Sequence, residues 1–300
     1  MKRTVALVLT GLCLGTTVLA QTPTPQQVRQ RIAQGVAELK GPTVDVGSVM
    51  NQKIPALGAD SVAIRIYRPN QSTSATILPL IYYIHGGAWV AGDLDTHDNI
   101  CRRLCHDANA VLVAVDYRRP PEHPYPASSD DAMTVLNWIQ ANRPNLSPSG
   151  PLILVGDSAG GNFVASTCLR NIDAPKPVPI AAQILVCPAL DIRPGSVTFK
   201  FYEWAVRWGL PDITKTNDPY ASPLVSTQLK KMPTSSIAVE ELDEIKDDGV
   251  QMHQKLQTAG VKSTLFNQDK IGHLGPFWAA NNPAIEPTFR FVLQQIAAVK

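Results

Sequence analysis

One serine in the sequence is flanked in a way that could make it a nucleophile. Ser158 lies in the stretch Gly156-Asp157-Ser158-Ala159-Gly160, after the apolar run 152–155 and before the apolar run 163–169. The first run predicts a short buried strand and the second a helix, so the serine falls in the tight turn between them. Glycine at both ends of the turn leaves room for a bend that projects the hydroxyl into a cleft beside a base. The first N–H groups of the helix would then point at any anion formed there.

Strand and helix patterns alternate along most of the chain and must position this serine. Strands are predicted over 64–69, 78–84, 110–115, 152–155, 182–187, 236–239 and 263–266, and helices over 25–40, 99–109, 130–142, 163–169, 246–258 and from 286 onward. Such alternation predicts an α/β fold with a mostly parallel, doubly wound sheet and helices on both faces. Sites in such sheets gather at the carboxyl ends of the strands, where Ser158 is expected.

A cluster of aromatic residues interrupts this alternation over 193–217. Its members occupy a short predicted helix: Phe199, Phe201, Tyr202, Trp204 and Trp208. Ordinary aromatic packing and a small helical cap over the cleft both account for such a cluster. For the domain organisation we expect an N-terminal helical or cap segment over 21–55 and a catalytic domain over 56–300. The 193–217 insertion lies within the catalytic domain.

The first twenty residues have the pattern of a cleavable secretory signal. A positive start at residues 2–3 precedes a mostly apolar stretch over 4–18, with small residues three positions and one position before Gln21. We predict cleavage between Ala20 and Gln21. The mature protein is then expected to be periplasmic or secreted, without a stable membrane anchor.

Composition narrows the functional classes. The chain has 300 residues, of which 44% are hydrophobic and 17% charged, as in a globular protein with a large core. A net charge of +2 and the absence of a strongly basic run give no electrostatic basis for binding nucleic acid. Beyond the N-terminal signal, no other stretch is long and apolar enough to cross a bilayer.

Four cysteines follow the predicted cleavage site, and export would permit disulfides between them. A bridge between Cys101 and Cys105 is disfavoured, because residues four apart in a helix have Cβ atoms about 5–6 Å apart, against about 3.8 Å in a disulfide. We expect Cys168 and Cys187 to be buried free thiols. The stretch 101–106 is similar to a haem-attachment motif but has three intervening residues instead of two, so no haem is expected.

Several further stretches make the sequence similar to a known family. They are 64–69, 85–89, 92–98, 116–118 with 121–124, 156–162, 218–224 and 242–247, and they recur in the family's order. In these stretches the chain resembles the α/β-hydrolase fold and, more narrowly, the hormone-sensitive-lipase-like esterases known as bacterial family IV. The resemblance implies a catalytic triad in the order serine, acid, histidine, with no cofactor. The resemblance also implies that the 193–217 insertion is a smaller version of the family's usual cap.

Residue chemistry and the resemblance agree on the base. A serine nucleophile needs a histidine beside it, and only His253 and His273 follow Ser158 in the chain. His253 lies within a predicted helix, where a solvated position is the simpler interpretation. His273 lies in a loop after the strand predicted over 263–266, where this fold places its base.

Asp243 is the predicted acid that orients the base. It follows the strand predicted over 236–239 at the carboxyl end of the sheet. The resemblance also points to Asp243, the first aspartate of the family's D-P-x-x-D stretch, in which Glu244 replaces the proline here. Glu240 stands where the family usually has a smaller residue. Asp247 is the alternative acid, but its position at the start of a helix fits a cap or a partner of the helix dipole.

Backbone N–H groups are expected to bind the oxyanion. The predicted oxyanion hole comprises Gly86, Gly87 and Ala88 together with Ala159. Ala88 replaces a glycine of the family, which keeps the N–H and narrows the alcohol side of the pocket. Four aromatic residues are expected to flank the substrate: Trp89, Trp204, Phe277 and Trp278.

Other polar residues near these motifs are expected to be structural. Asp157 should hold the turn around the serine, and His85 should brace the oxyanion loop. Asp93, Asp95 and His97 are metal-ligand types, but they fit turn and helix-cap positions better, so no metal is expected.

Together these assignments predict a serine carboxylesterase that acts through an acyl-enzyme. Its expected substrates are small-molecule esters with short to medium acyl chains, with aryl and bulky-alcohol esters as candidates. An amidase or peptidase and a non-catalytic small-molecule receptor stay open as alternatives, although the presence of His273 favours an enzyme. Homodimerisation through an edge strand also stays open.

Overall fold

The apolar runs of the sequence form one central sheet. The computed structural model describes residues 23–39, 41–70, 77–275, 278 and 282–299. Its strands are β1 Ser48–Ala56, β2 Ala59–Arg68, β3 Leu80–Ile84, β4 Val111–Asp116, β5 Leu152–Asp157, β6 Ala182–Val186, β7 Thr234–Glu240 and β8 Ser263–Gln268. Its helices are α1 Pro25–Leu39, α2 Asp98–Asp107, α3 Ala127–Ala141, α4 Arg143–Leu146, α5 Ala159–Ile172, α6 Val197–Gly209, α7 Lys246–Thr258 and α8 Glu286–Ala298, with short 3-10 turns at Ile213–Asn217, Pro223–Val225 and Leu229–Lys231.

The strands pair in the order β1-β2-β4-β3-β5-β6-β7-β8. β2 is antiparallel to both β1 and β4, whereas the pairings from β4 through β8 are parallel. β3, β5 and β6 are buried along their whole length, because helices cover both faces of the sheet. The predicted α/β fold is therefore confirmed. Since β5, β7 and β8 run parallel, the loops that follow them open at the same edge of the sheet.

Two apolar cores lie on the two faces of the sheet. Tyr82 belongs to the first core, together with α1, α3, α5 and α7, and Tyr83 belongs to the second, with α2 and α8. Neighbouring residues of one strand reach different cores because side chains alternate across a strand. All residues of β3 are buried for this reason.

Strand β1 corrects the predicted domain boundary. It forms a hairpin with β2, in register from Ser48 opposite Arg68 to Ala56 opposite Ala59. The boundary at residue 56 is therefore wrong, since residues 48–55 belong to the sheet and not to a separate N-terminal segment. Only Ile54 of β1 is buried, so the strand lacks the alternation of apolar and polar residues by which a half-buried strand is recognised.

Helix α1 packs against the body of the protein. Its apolar residues Val28, Ile32 and Val36 recur every four residues and are buried in the first core. Arg29 on the same helix donates from Nε to the carbonyl oxygen of Val90 at 2.8 Å and pairs with Glu122 at 2.7 Å. The helix is thus bound to the segment that follows the predicted oxyanion loop.

The cysteines of the described chain are buried and free. Cys101 and Cys105 lie in α2, Cys168 lies in α5 and Cys187 follows β6. The predicted free thiols at Cys168 and Cys187 are confirmed. No helix in the part of the chain that the structure describes is both long and apolar enough to cross a bilayer. The predicted signal, residues 1–20, lies outside the described residues.

Candidate active site

Ser158 occupies a strained turn between β5 and α5. Its φ is 52° and its ψ is −118°, in a region that residues with a Cβ rarely adopt. The turn is possible because glycines flank it: a Cβ at Gly156 would clash with the backbone of Gly160, and a Cβ at Gly160 would clash with the carbonyl oxygen of Ile84. A non-glycine residue held at positive φ is typical of functional sites, and here it places the hydroxyl at the open edge of the sheet.

The three predicted triad residues form one chain of hydrogen bonds. His273 Nε2 lies 2.9 Å from Ser158 Oγ, and His273 Nδ1 lies 2.8 Å from Asp243 Oδ2. Asp243 is buried, whereas the imidazole is partly accessible. Burial lowers the pKa of His273, but the charge and the hydrogen bond of Asp243 raise it more, so its pKa lies above the usual value. The serine hydroxyl therefore has a base in contact, and the base is oriented by a carboxylate.

A tight turn after β7 fixes Asp243. Its N–H donates to the carbonyl oxygen of Glu240 at 3.2 Å, and its Oδ1 accepts from the N–H of Ile245 at 3.0 Å. The alternative acid, Asp247, lies in the first turn of α7, as expected for a residue that interacts with the helix dipole. His253 bonds Ser263 on β8 at 2.8 Å and takes no part in the chain of hydrogen bonds.

The loop after β3 presents backbone N–H groups beside Ser158. Gly87, Ala88 and Trp89 all have positive φ, of 121°, 51° and 64°, which turns successive peptide groups in the same sense. The N–H groups of Gly87 and Ala88 have no acceptor within the described chain. The N–H of Gly86 donates to Asp157 Oδ1 at 3.2 Å, so the prediction of Gly86 as an oxyanion donor is wrong. The buried carboxylate of Asp157 already accepts the hydrogen bond of this N–H group.

A buried polar network holds this loop against the serine turn. Asp157 Oδ1 also accepts from the Tyr83 hydroxyl at 2.5 Å, and Asp157 Oδ2 lies 3.6 Å from His97 Nε2. Burial raises the pKa of Asp157, but the nearby His97 ring and the Tyr83 hydrogen bond lower it more, so the carboxylate stays ionised. His85 stacks on Tyr117 with ring centroids 4.2 Å apart, and burial lowers the pKa of His85 to about 3. The structural roles expected for Asp157 and His85 agree with these contacts.

Residues of metal-ligand type are used for other purposes here. Asp93 Oδ1 accepts from the N–H groups of Asp95 and Thr96, and Asp95 pairs with Arg65 at 2.8 Å. Within the described residues, one group of ligand-type atoms lies within 4.8 Å, and it comprises Cys187, Asp243 and His273. In that group burial raises the pKa of the Cys187 thiol far above its usual range, and the other two are bonded to each other.

A second carboxyl lies close to Asp243. Glu240 is the last residue of β7 and is fully buried, yet neither of its carboxyl oxygens has a hydrogen-bond partner within the described chain. Burial, followed by the negative charge of Asp243, raises the pKa of Glu240 far above its usual range. An acid in such surroundings stays protonated, so Glu240 adds no second charge beside Asp243.

An apolar pocket opens next to the oxyanion loop. Its free space is about 440 Å³ when the part open to solvent is counted, but only about 30 Å³ is left for the centres of water-sized spheres, so the pocket is narrow. Helix α6 supplies Ala205, Val206 and Gly209 to its wall, and the loop after β3 supplies Trp89. Its remaining lining is mostly apolar: Pro120, Tyr125, Ser128, Asn162, Phe163, Ile192, Leu210, Tyr220 and Ala221.

Of the four aromatic residues expected to flank the substrate, Trp89 lines this pocket. Trp204 packs on Trp208 instead, with ring centroids 5.1 Å apart. The prediction that Trp278 flanks the substrate is wrong. Its ring is fully buried in the second core, and its Nε1 donates to the Tyr83 hydroxyl at 3.2 Å. Phe277 lies outside the described residues.

The chain is similar to known α/β hydrolases in sequence and in structure. Residues 81–275 match a family model described as the α/β hydrolase fold. Esterase LipI of Mycobacterium tuberculosis is 33% identical over 228 residues, which cover 72% of this chain and 71% of LipI. The arylesterase of Saccharolobus solfataricus is 28% identical over 254 residues, which cover 80% of this chain and 81% of that protein. The solved structure of a Pyrobaculum calidifontis esterase matches with a TM-score of 0.84 and 26% identity, over 100% of this chain and 98% of that one.

Proposed function

We propose that this chain cleaves esters with Ser158 as its nucleophile. The chain belongs to the α/β hydrolases, in the hormone-sensitive-lipase-like branch of carboxylic ester hydrolases. The observation that carries the proposal is the continuous chain of hydrogen bonds from Ser158 through His273 to Asp243. Ser158 lies in a strained turn, beside the loop in which the N–H groups of Gly87 and Ala88 have no acceptor within the described chain. Each part that acyl transfer requires is therefore present within one cleft.

The proposed reaction is a double displacement. His273 Nε2 takes the proton of Ser158 as the serine oxygen attacks the ester carbonyl carbon, and Asp243 stabilises the resulting imidazolium. The N–H groups of Gly87, Ala88 and Ala159 bind the oxyanion of the tetrahedral intermediate, and loss of one such donor lowers kcat by about 10²–10³-fold. His273 then gives its proton to the leaving alkoxide, which departs as the alcohol. Water repeats the sequence on the acyl-enzyme, releasing the acid and restoring the serine.

The apolar pocket supports short to medium acyl chains as substrates. Trp89 joins the oxyanion loop directly to the pocket, so an acyl group attached at the carbonyl carbon has an apolar volume beside it. The part of its wall that α6 supplies includes the small residues Ala205 and Gly209. Aryl esters are included in the proposal, because one of the relatives named above is an arylesterase.

Hydrolysis of p-nitrophenyl acetate, butyrate, octanoate and laurate tests the proposal. We expect activity on the shorter esters and a loss of about 10⁶-fold in kcat in Ser158→Ala, with little cleavage of butyranilide. A Ser226→Ala variant serves as control, since Ser226 is also a serine at a turn but directly follows the 3-10 turn at Pro223–Val225, away from the catalytic residues. Equal activity in Ser158→Ala and the wild type would refute the assignment of the nucleophile, and faster cleavage of the anilide would favour an amidase.

We further propose that the protein is exported after cleavage between Ala20 and Gln21. The charged start, the apolar stretch and the small residues before Gln21 support this proposal. The intact mass of the protein recovered from the periplasm or medium tests it. A mass that begins at Gln21 is expected, and a full-length chain retained in the cytoplasm would contradict it.

A further inference from the structure

Helix α6 is bent where it passes over the catalytic residues. Tyr202 has φ of −119° and ψ of 19°, values that break the helical geometry between Val197 and Gly209. Neither proline nor glycine lies at the bend, although these are usual causes of a kink. The bend lies at the residue of α6 whose ring approaches both His273 and Trp89.

The ring of Tyr202 contacts both sides of the reactive centre. Its centroid is 6.3 Å from that of His273, at an interplanar angle of 54°, and 6.3 Å from that of Trp89, nearly perpendicular at 84°. Both distances lie within the range of aromatic contacts. His273 is the base and Trp89 follows the oxyanion donors, so the substrate carbonyl must lie in the space between these two side chains. The ring of Tyr202 lies within aromatic contact distance of both.

The two ends of an ester have different surroundings in this site. His273 must reach the leaving oxygen to protonate it, so the leaving alcohol lies beside the His273 ring. The apolar pocket lies elsewhere, and neither His273 nor Tyr202 is among the described residues that line it. The pocket then suits the acyl chain, and the ring of Tyr202 is left on the side of the alcohol.

We propose that Tyr202 is a specificity-determining residue that forms the leaving-group subsite and favours esters of aromatic alcohols. The inference rests on the proposed ester hydrolysis and extends it by naming the chemical class of the alcohol. Tyr202 is half-buried, so an aromatic leaving group beside His273 would meet the accessible part of its ring and make the kind of contact that Trp89 makes. A saturated ring of the same size gains only apolar contact there.

The test compares two butyrate esters that differ only in the aromaticity of the alcohol, benzyl butyrate and cyclohexylmethyl butyrate. The quantity measured is the ratio of their kcat/KM values in the wild type and in each variant. We expect Tyr202→Leu to lower this ratio by about 2- to 10-fold, the range of one aromatic contact. Tyr202→Phe should keep the ratio, because the ring is retained. Trp204→Leu is the matched control on α6 and should leave the ratio unchanged, since Trp204 packs on Trp208.

Each outcome of this experiment decides the inference. An unchanged ratio in an active Tyr202→Leu enzyme would overturn it while leaving the proposed function in place. An equal loss in Tyr202→Phe and Tyr202→Leu would also overturn it, since the hydroxyl and not the ring would then be responsible. If Tyr202→Leu does not fold, product inhibition of the wild type decides. Stronger inhibition by benzyl alcohol than by cyclohexylmethanol supports the inference, and equal inhibition overturns it. Absence of turnover in the wild type would instead refute the proposed function.

Discussion

Replacing Glu240 with glutamine should stabilise the protein, and the gain should grow as pH rises. The carboxyl of Glu240 is fully buried and has no hydrogen-bond partner within the described residues. Burial and the nearby charge of Asp243 raise the pKa of Glu240 far above its usual range. In the unfolded chain the same carboxyl titrates at about pH 4.3. The folded state must therefore hold a proton that the unfolded state releases.

The sign and the size of the effect follow from this difference in bound protons. Below the unfolded pKa both states are protonated, and Glu240 contributes no dependence on pH. Above it the folded state binds one more proton, so the free energy of unfolding falls by about 1.4 kcal/mol per pH unit until the folded pKa is reached. Glutamine has nearly the same shape and does not titrate. With an unfolding entropy of about 2.1 cal/mol/K per residue, each 1 kcal/mol shifts the Tm of a 300-residue chain by roughly 1.5–2 °C.

Thermal melting by circular dichroism between pH 4 and pH 9 measures this difference. Because both proteins share every other titrating group, the Tm of Glu240→Gln minus that of the wild type isolates the contribution of Glu240. The difference should be small at pH 4 and should increase by about 2–3 °C per pH unit above pH 5. Glu38→Gln, at an exposed position on α1, is the control and should show no such trend. A difference that stays constant with pH, or a less stable Glu240→Gln protein at pH 8, would show that the folded protein does not hold the extra proton on Glu240.

Two further predictions follow from contacts around the site. Activity should rise with pH as His273 loses its proton, with a midpoint above about 6.5, because Asp243 raises the pKa of His273. Asp243→Asn should lower kcat by about 10⁴-fold and move that midpoint to lower pH, as a profile of kcat/KM against pH would reveal; an unmoved midpoint would contradict the pairing. Arg29→Met should reduce stability by about 1–2 kcal/mol and lower kcat more than it changes KM, since Arg29 binds the carbonyl oxygen of Val90 beside the oxyanion loop. Denaturant unfolding and ester kinetics measure both effects, and equal losses in Arg31→Met, an exposed neighbour on α1, would exclude a specific role for Arg29.

The sequence predicts those parts of the fold and the site that depend on local pattern and chain order. Ser158 is recognisable because a strand, a glycine-flanked turn and a helix follow one another within a few residues. His273 and Asp243 are recognisable because each follows a strand of a parallel sheet, and such sheets bring their carboxyl ends together. The structure places His273 within hydrogen-bonding distance of both Ser158 and Asp243.

The errors of the sequence-based predictions have a common physical cause, which is contact between distant parts of the chain. Apolar character shows that Trp278 is buried but not on which face of the sheet it lies. The N–H of Gly86 is occupied by Asp157, a residue 71 positions away in the chain. Tyr202 could not be distinguished from the other aromatic residues of its segment, because its contacts with Trp89 and His273 arise only in the folded protein.

The most direct test of the account is to identify the residue that becomes covalently modified during reaction. An organophosphate such as diethyl p-nitrophenyl phosphate should transfer its diethylphosphoryl group to Ser158 Oγ, with release of one p-nitrophenol per chain. Peptide mass spectrometry should find the modification on the peptide that contains Ser158 and nowhere in Ser158→Ala, and the reaction should be much slower in His273→Ala. Stoichiometric modification of another residue, or equal rates in the wild type and His273→Ala, would contradict the account.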